Sequence, residues 1–366
     1  MIIRTFFALF LTNFVVSSPI SSNPDQTTAA LNTYLYGEPN PEWLKYINDD
    51  GYFDPSLIED KETRQRIASN FTDELRLDFN AVKDVKFYLY TNKERSRTEI
   101  AIENLVSLTN STFDAANPTR FLIHGWQDSE DSKRIQPTKD AYLEIGDFNV
   151  ITVDWSKGAS SLNYYTSRHR IEDVAGIVRR FIVFIVQNAG VTVSQLQVVG
   201  HSLGAHIAGL TGKYLHVGKL PVIVGLDPAS PLFSMKNEKG RLTPNDAEYV
   251  EVIHSNGGQL GFLEPIGTSD FYPNYGRDQK GCGVDLTGAC SHNRVCTFFA
   301  ESIVTEVGFW AYQCEDFNDI KKKKCKITNI LCEMGGEPLK TTRAIGNYYL
   351  ETNKKKPYAM GLVYET

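Results

Sequence analysis

The chain has 366 residues, 42% of them hydrophobic and 22% charged, and a formal net charge of -6. That length and balance suit one large globular domain or two smaller ones. The acidic surplus argues against a nucleic-acid partner, whose phosphates call for a basic surface.

In chain order, Arg4 precedes an apolar run to Val16 and then small residues. That pattern reads as a signal peptide over residues 1–20, too short to span a bilayer. It predicts a secreted, extracellular protein. Residues 21–80 are polar and weakly periodic, and read as an N-terminal extension and candidate pro-segment. Residues 81–366 show no internal boundary and read as one domain. Within them, short β-branched and aromatic runs at 85–91, 119–125, 149–155, 196–202, 221–227 and 249–255 are strand candidates. Helical patterns fall between them, at 171–188, 202–214 and 293–303. Strands alternating with helices predict an α/β fold, a mostly parallel central sheet flanked by helices.

All six cysteines lie between Cys282 and Cys332. An even count in an exported chain suggests three disulfides, and spacing alone does not choose the pairing. No C-x-x-C pair points to zinc. Asn70 and Asn110 begin glycosylation acceptor triplets, whereas Asn117 is followed by Pro118 and does not. The lysine runs Lys321–Lys324 and Lys354–Lys356 read as solvated loop charge.

The stretch "LQVVGHSLGAHIAGLTGKYL" is an apolar strand, a glycine-flanked turn and a helical segment. That is the setting of a G-x-S-x-G nucleophile elbow, with Ser202 on a sharp turn between Gly200 and Gly204. The alternative is a glycine-rich turn with an incidental serine. In such α/β-hydrolases the order is serine, then carboxylate, then histidine. Asp227 ends "PVIVGLD" and satisfies it; Asp154 precedes the serine and Asp246 lies in a polar loop. His124, His169, His201, His206 and His216 precede Asp227 and fail the test. His206 lies one helical turn from Ser202 and reads as scaffold. His254 ends a strand candidate and His292 sits in what reads as a loop, "GACSHNRVC". A base on a loop reaches over the serine more readily, but the pattern alone leaves both open. The backbone N–H groups of Leu203 and of Trp126, in "FLIHGW", are candidate oxyanion donors. One such donor contributes about 3–4 kcal/mol to the barrier.

"FLIHGW", "GHSLGAHIAG", "GLDPASP", "DAEYVEVIHS", "DFYPNYG" and "CSHNRVCTFFAESI" together resemble the pancreatic lipase family, neutral lipases and phospholipases A1, notably single-domain insect members. The resemblance covers roughly residues 85–361. It implies a triad of Ser202, Asp227 and His292, with Trp126 and Leu203 as oxyanion donors. The "VIHS" histidine matches a structural position of the family. The expected activity is serine ester hydrolysis of lipids at a membrane or micelle surface.

Three departures qualify the resemblance. The chain ends soon after "GNYYLETNKKKPYAMG", so no C-terminal β-sandwich and no colipase partner are expected. The family's disulfide-closed lid corresponds to Cys282–Cys290, with only "GVDLTGA" between. So short a lid resembles the phospholipase A1 pattern, and implies action on phospholipid or galactolipid as well as neutral lipid. "GQLGFLEPIG" is a candidate apolar wall beside the site. The family's calcium loop aligns with Glu238, Arg241, Thr243 and Asp246, where Thr243 replaces a carboxylate. That leaves Glu238 and Asp246 as the carboxylates of a candidate structural calcium site, and no catalytic cofactor is expected. The resemblance also implies a Cys314–Cys325 bridge, which leaves Cys296 and Cys332 to pair. A catalytically silent lipid-binding or yolk-type storage protein on the same fold is the main alternative, and a peptidase or small-ester hydrolase a lesser one.

Overall fold

The computed structural model describes residues 42–48, 53–76, 79–339 and 345–362. The stretch read as a signal peptide lies outside them. Eleven strands among the described residues form a single sheet. In chain order they are β1 (Lys86–Tyr90), β2 (Thr98–Glu99), β3 (Thr119–Ile123), β4 (Asn149–Asp154), β5 (Leu196–His201), β6 (Val222–Leu226), β7 (Tyr249–Ile253), β8 (Ser269–Pro273), β9 (Trp310–Cys314), β10 (Ile327–Glu333) and β11 (Gly346–Leu350). Their spatial order is β10-β9-β11-β8-β7-β6-β5-β3-β4-β1-β2. The run from β4 to β11 is parallel throughout, and antiparallel pairs close both ends.

Every residue of β3, β5 and β7 is buried because helices cover both faces. Side chains alternate across a strand, so neighbours in β3 serve opposite cores. Phe121 and Ile123 join the cluster under helices α3 (Tyr164–Asn188) and α4 (Leu203–Lys213). Leu122 joins the opposite cluster, under α2 (Gln136–Ile145) and α5 (Ala289–Val304). This is the α/β-hydrolase architecture.

Two helix starts differ from expectation. The helix expected from residue 171 begins at Tyr164, where the Asn163 side chain accepts the Tyr165 N–H at 3.0 Å. Its first turns carry aromatic and polar residues that obscure the apolar period. The helix expected from residue 293 begins at Ala289, so His292 sits in a first helical turn and not in a loop. Gly288, at φ 72°, lets the chain enter this helix sharply. The Asp285 carboxylate then accepts the Cys290 and Ser291 N–H groups at 3.2 and 2.7 Å.

Bridges join Cys282 to Cys290 and Cys314 to Cys325. The expected Cys296–Cys332 bridge is absent. Cys296 lies on α5 and Cys332 on β10, and each packs as a small apolar side chain in the same buried cluster. Burial also pushes the Cys296 thiol well above its ordinary range, so it stays protonated.

The stretch read as an extension contains helix α1 (Lys61–Arg76). Trp43, Ile58 and Ile67 are buried against Tyr165, with the Trp43 and Tyr165 rings 4.3 Å apart. The Phe53 N–H also donates to the Tyr165 hydroxyl at 2.7 Å. Asn70 on α1 and Asn110 are both exposed, as glycosylation requires. Among the described residues, no helix is long and apolar enough to cross a membrane.

Candidate active site

The turn after β5 holds Ser202 at φ 57° and ψ −121°, a backbone region costly to any residue with a Cβ. Its neighbours explain how the strain is tolerated. A Cβ at Gly200 would stand 2.1 Å from the Gly204 carbonyl oxygen, and one at Gly204 2.3 Å from that of Ile123. A Cβ at Gly125 would stand 2.8 Å from that of Ser202. Three glycines therefore let β5, α4 and the turn after β3 close around one serine. Leu203 opens α4, so its N–H belongs to the first turn, where helix N–H groups lack intrahelical partners.

Gly125 and Trp126 are held from behind. The Trp155 backbone N–H meets His124 Nε2 at 3.1 Å, and the Trp155 indole donates to the His124 carbonyl at 2.8 Å. The Trp126 indole donates to the Ser161 carbonyl at 2.8 Å and stands edge-on to Tyr164.

Asp227 follows β6 and is fully buried. Its Oδ1 accepts the Ser255 and Asn256 N–H groups at 2.7 and 3.0 Å, from the turn after the neighbouring β7. Its Oδ2 lies 2.5 Å from His292 Nδ1. A Cβ at Gly261 would stand 2.4 Å from Asp227 Oδ1, so only glycine admits the carboxylate there. The His292 ring packs beside His201, whose Nε2 meets the His292 carbonyl at 3.1 Å. Burial, then the neighbouring His292, push the His201 imidazole well below its ordinary range.

A cavity of about 200 Å³ is bordered by Ser202, His292, Trp126, Tyr164, Pro231 and Leu260, among others. Leu260 comes from the stretch expected to form an apolar wall. Ser202 and His292 share the cavity without a hydrogen bond between them. Such bonds are commonly long without substrate and tighten when it binds.

The other histidines go elsewhere. His254 meets the Phe262 carbonyl at 2.7 Å and Asp270 at 2.9 Å, fully buried. His206 meets the Ala229 carbonyl at 2.7 Å and takes the Leu242 N–H at 3.1 Å. Burial pushes its imidazole down to about 3. Of the calcium candidates, Glu238 turns its carboxylate to solvent, while the buried Asp246 is paired with Lys213. Sequence reasoning missed the Ser255 and Asn256 donors, His201 and the Trp155 support. The position of "SN" directly after the strand "YVEVIH" was the available signal for the first two.

A family model described as Lipase matches residues 56–358. The chain belongs to that family. It is 34% identical over 249 residues to lipase member H of Oryctolagus cuniculus, covering 66% of this chain and 54% of that protein. To pancreatic triacylglycerol lipase it is 32% identical over 311 residues in Homo sapiens, covering 76% of this chain and 66% of that protein. For the Myocastor coypus protein the figures are 31% over 301 residues, 74% and 65%. These relatives place the chain in the pancreatic lipase family, and it spans about half to two thirds of their length. The family match begins within the stretch read as an N-terminal extension.

Proposed function

We propose that this protein is a carboxylic ester hydrolase that releases fatty acids from lipids. The observation that carries the reading is Asp227, fixed by two backbone N–H groups on one oxygen and bonded to His292 on the other, beside the strained Ser202. In this mechanism His292 Nε2 takes the Ser202 proton as Oγ attacks the ester carbonyl. The carbonyl π electrons move to oxygen, and the oxyanion is met by the Leu203 and Trp126 N–H groups. Asp227 stays ionised, holds the imidazole tautomer and stabilises the imidazolium. His292 then returns the proton to the leaving alcohol, and water releases the fatty acid by the same steps.

The lid supports a broad choice of lipid. Between Cys282 and Gly288 the chain turns without a helix, tied down through Gln259, which donates to the Leu286 carbonyl at 3.0 Å. Val284 is 84% exposed, so the loop presents an apolar side chain outward and does not bury it over Ser202. Polar-headed lipids then reach the serine without a large opening movement. The two disulfides support an extracellular setting.

The test offers phosphatidylcholine, a monogalactosyl lipid, tributyrin and triolein to the wild type and to Ser202→Ala, with released fatty acid measured. Wild-type hydrolysis of phospholipid or galactolipid, lost in the variant, is expected. A Ser202→Ala protein with full activity would sink the mechanism. A wild type fastest on triolein, with a jump above its solubility limit, would sink the lid argument alone.

A further inference from the structure

The loop between Ala229 and Asp246 lies against the end of the helix that Ser202 opens. Lys213, the last residue of α4, places its Nζ 2.6 Å from Asp246 Oδ1 and 3.1 Å from Thr243 Oγ1. The Thr243 hydroxyl donates to Asp246 Oδ1 at 2.7 Å, and the Thr243 N–H to Oδ2 at 2.8 Å. Both carboxylate oxygens are thus engaged. The Asp246 side chain is 1% exposed and that of Lys213 17%, so this ion pair is largely shielded from water. Helix and loop meet closely: a Cβ at Gly212 would stand 2.2 Å from the Asp246 carbonyl, and one at Gly209 2.9 Å from Asp246 Oδ2.

The resemblance assigns calcium to this loop, and the residues present do not fit it. Calcium takes six to eight oxygens, several of them carboxylate. Here Asp246 is the one buried carboxylate of the loop, and Glu238 is exposed beside Arg241. The buried Arg241 guanidinium donates to the Ser234, Met235 and Leu242 carbonyls, which removes neutral ligands as well. Two fixed cations, Lys213 and Arg241, then oppose the entry of a third.

We propose that the Lys213 ammonium is the built-in cation of this loop, so that the chain holds its site without calcium. The effect reaches the cavity. The Leu242 N–H donates to His206, and His206 binds the Ala229 carbonyl, whose residue lines the cavity with Pro231. An internal ammonium cannot be lost by dilution or chelation, as a bound metal can.

The experiment reads thermal unfolding, and so is independent of the reaction assigned to Ser202. Wild-type protein is compared in EDTA and in millimolar calcium chloride, and no difference in Tm is expected. A fall in EDTA that calcium reverses overturns the proposal. Lys213→Met is expected to lower Tm by roughly 5 °C, unrescued by calcium. Lys213→Met with Thr243→Asp removes the ammonium and restores a carboxylate, and its Tm is expected to rise with calcium. A double variant indifferent to calcium also overturns the proposal, since the ammonium would then not stand where a cation binds. The wild-type comparison decides by itself if the variants do not fold.

Discussion

Of the three aspartate–histidine pairs among the described residues, Asp270–His254 and Asp227–His292 differ in what the second ring nitrogen meets. In the Asp270–His254 pair, both imidazole nitrogens are spent, one on Asp270 and one on the Phe262 carbonyl, and Tyr272 stacks on the ring at 4.4 Å. In the Asp227–His292 pair, Nδ1 is spent on Asp227 while the ring borders the cavity that Ser202 shares. Both carboxylates are fixed by backbone N–H groups, Asp270 by Ile266 and Gly267 and Asp227 by Ser255 and Asn256. The chemistry of the pair itself is therefore nearly the same. In the proposed mechanism, what separates a base from a brace is access of one nitrogen to the cavity that Ser202 borders.

Asp227→Asn and Asp270→Asn break this comparison from its two sides. Asp227→Asn keeps the shape but favours the wrong His292 tautomer, and kcat on a soluble ester is expected to fall about 10⁴-fold. Asp270→Asn is expected to leave kcat per folded molecule within a few-fold. Its cost is stability, about 1–3 kcal/mol for a buried hydrogen-bond set left poorly matched, read as a lower Tm. If Asp270→Asn lost activity as Asp227→Asn should, without a loss of Tm, the assignment of brace and base would be reversed.

Much of this distinction was legible in the chain order, and the rest was not for identifiable reasons. The six strand candidates all became strands, because "NVITVD" and "LQVVGH" are β-branched runs bounded by turns. The strands beyond β7 escaped, since "SDFYP" ends in proline and β10, at the sheet edge, buries little of its length. His292 read as a loop residue because Gly, Ser and Asn surround it. The helix there begins early through the αL entry at Gly288 and the Asp285 cap, both properties of the folded backbone. Cysteine parity misled for a similar reason: burial makes Cys296 and Cys332 adequate apolar side chains without a disulfide between them. The lysine that meets the 229–246 loop was invisible because Lys213 lies thirty-three residues before Asp246 and meets it only through packing.

A further buried carboxylate sharpens the comparison through stability alone. Glu251, on β7, is fully enclosed; its carboxyl takes the Gly335 N–H at 2.9 Å, and among the described residues it makes no ion pair. Burial pushes it up to about 8, against an ordinary value of 4.5, so the acid form is the one the fold accepts. Its folded-state value exceeds the unfolded one, so the stability it contributes is complete below about 4.5 and declines as pH rises through about 8. Glu251→Gln keeps a carbonyl for Gly335 and cannot ionise. The Tm of the variant minus that of the wild type is therefore expected to grow between pH 5 and pH 8 and then level off. Other titrating groups are common to both proteins and cancel in the difference. A difference that stays flat over this range would mean that Glu251 is already ionised in the fold, as Asp246 is beside Lys213.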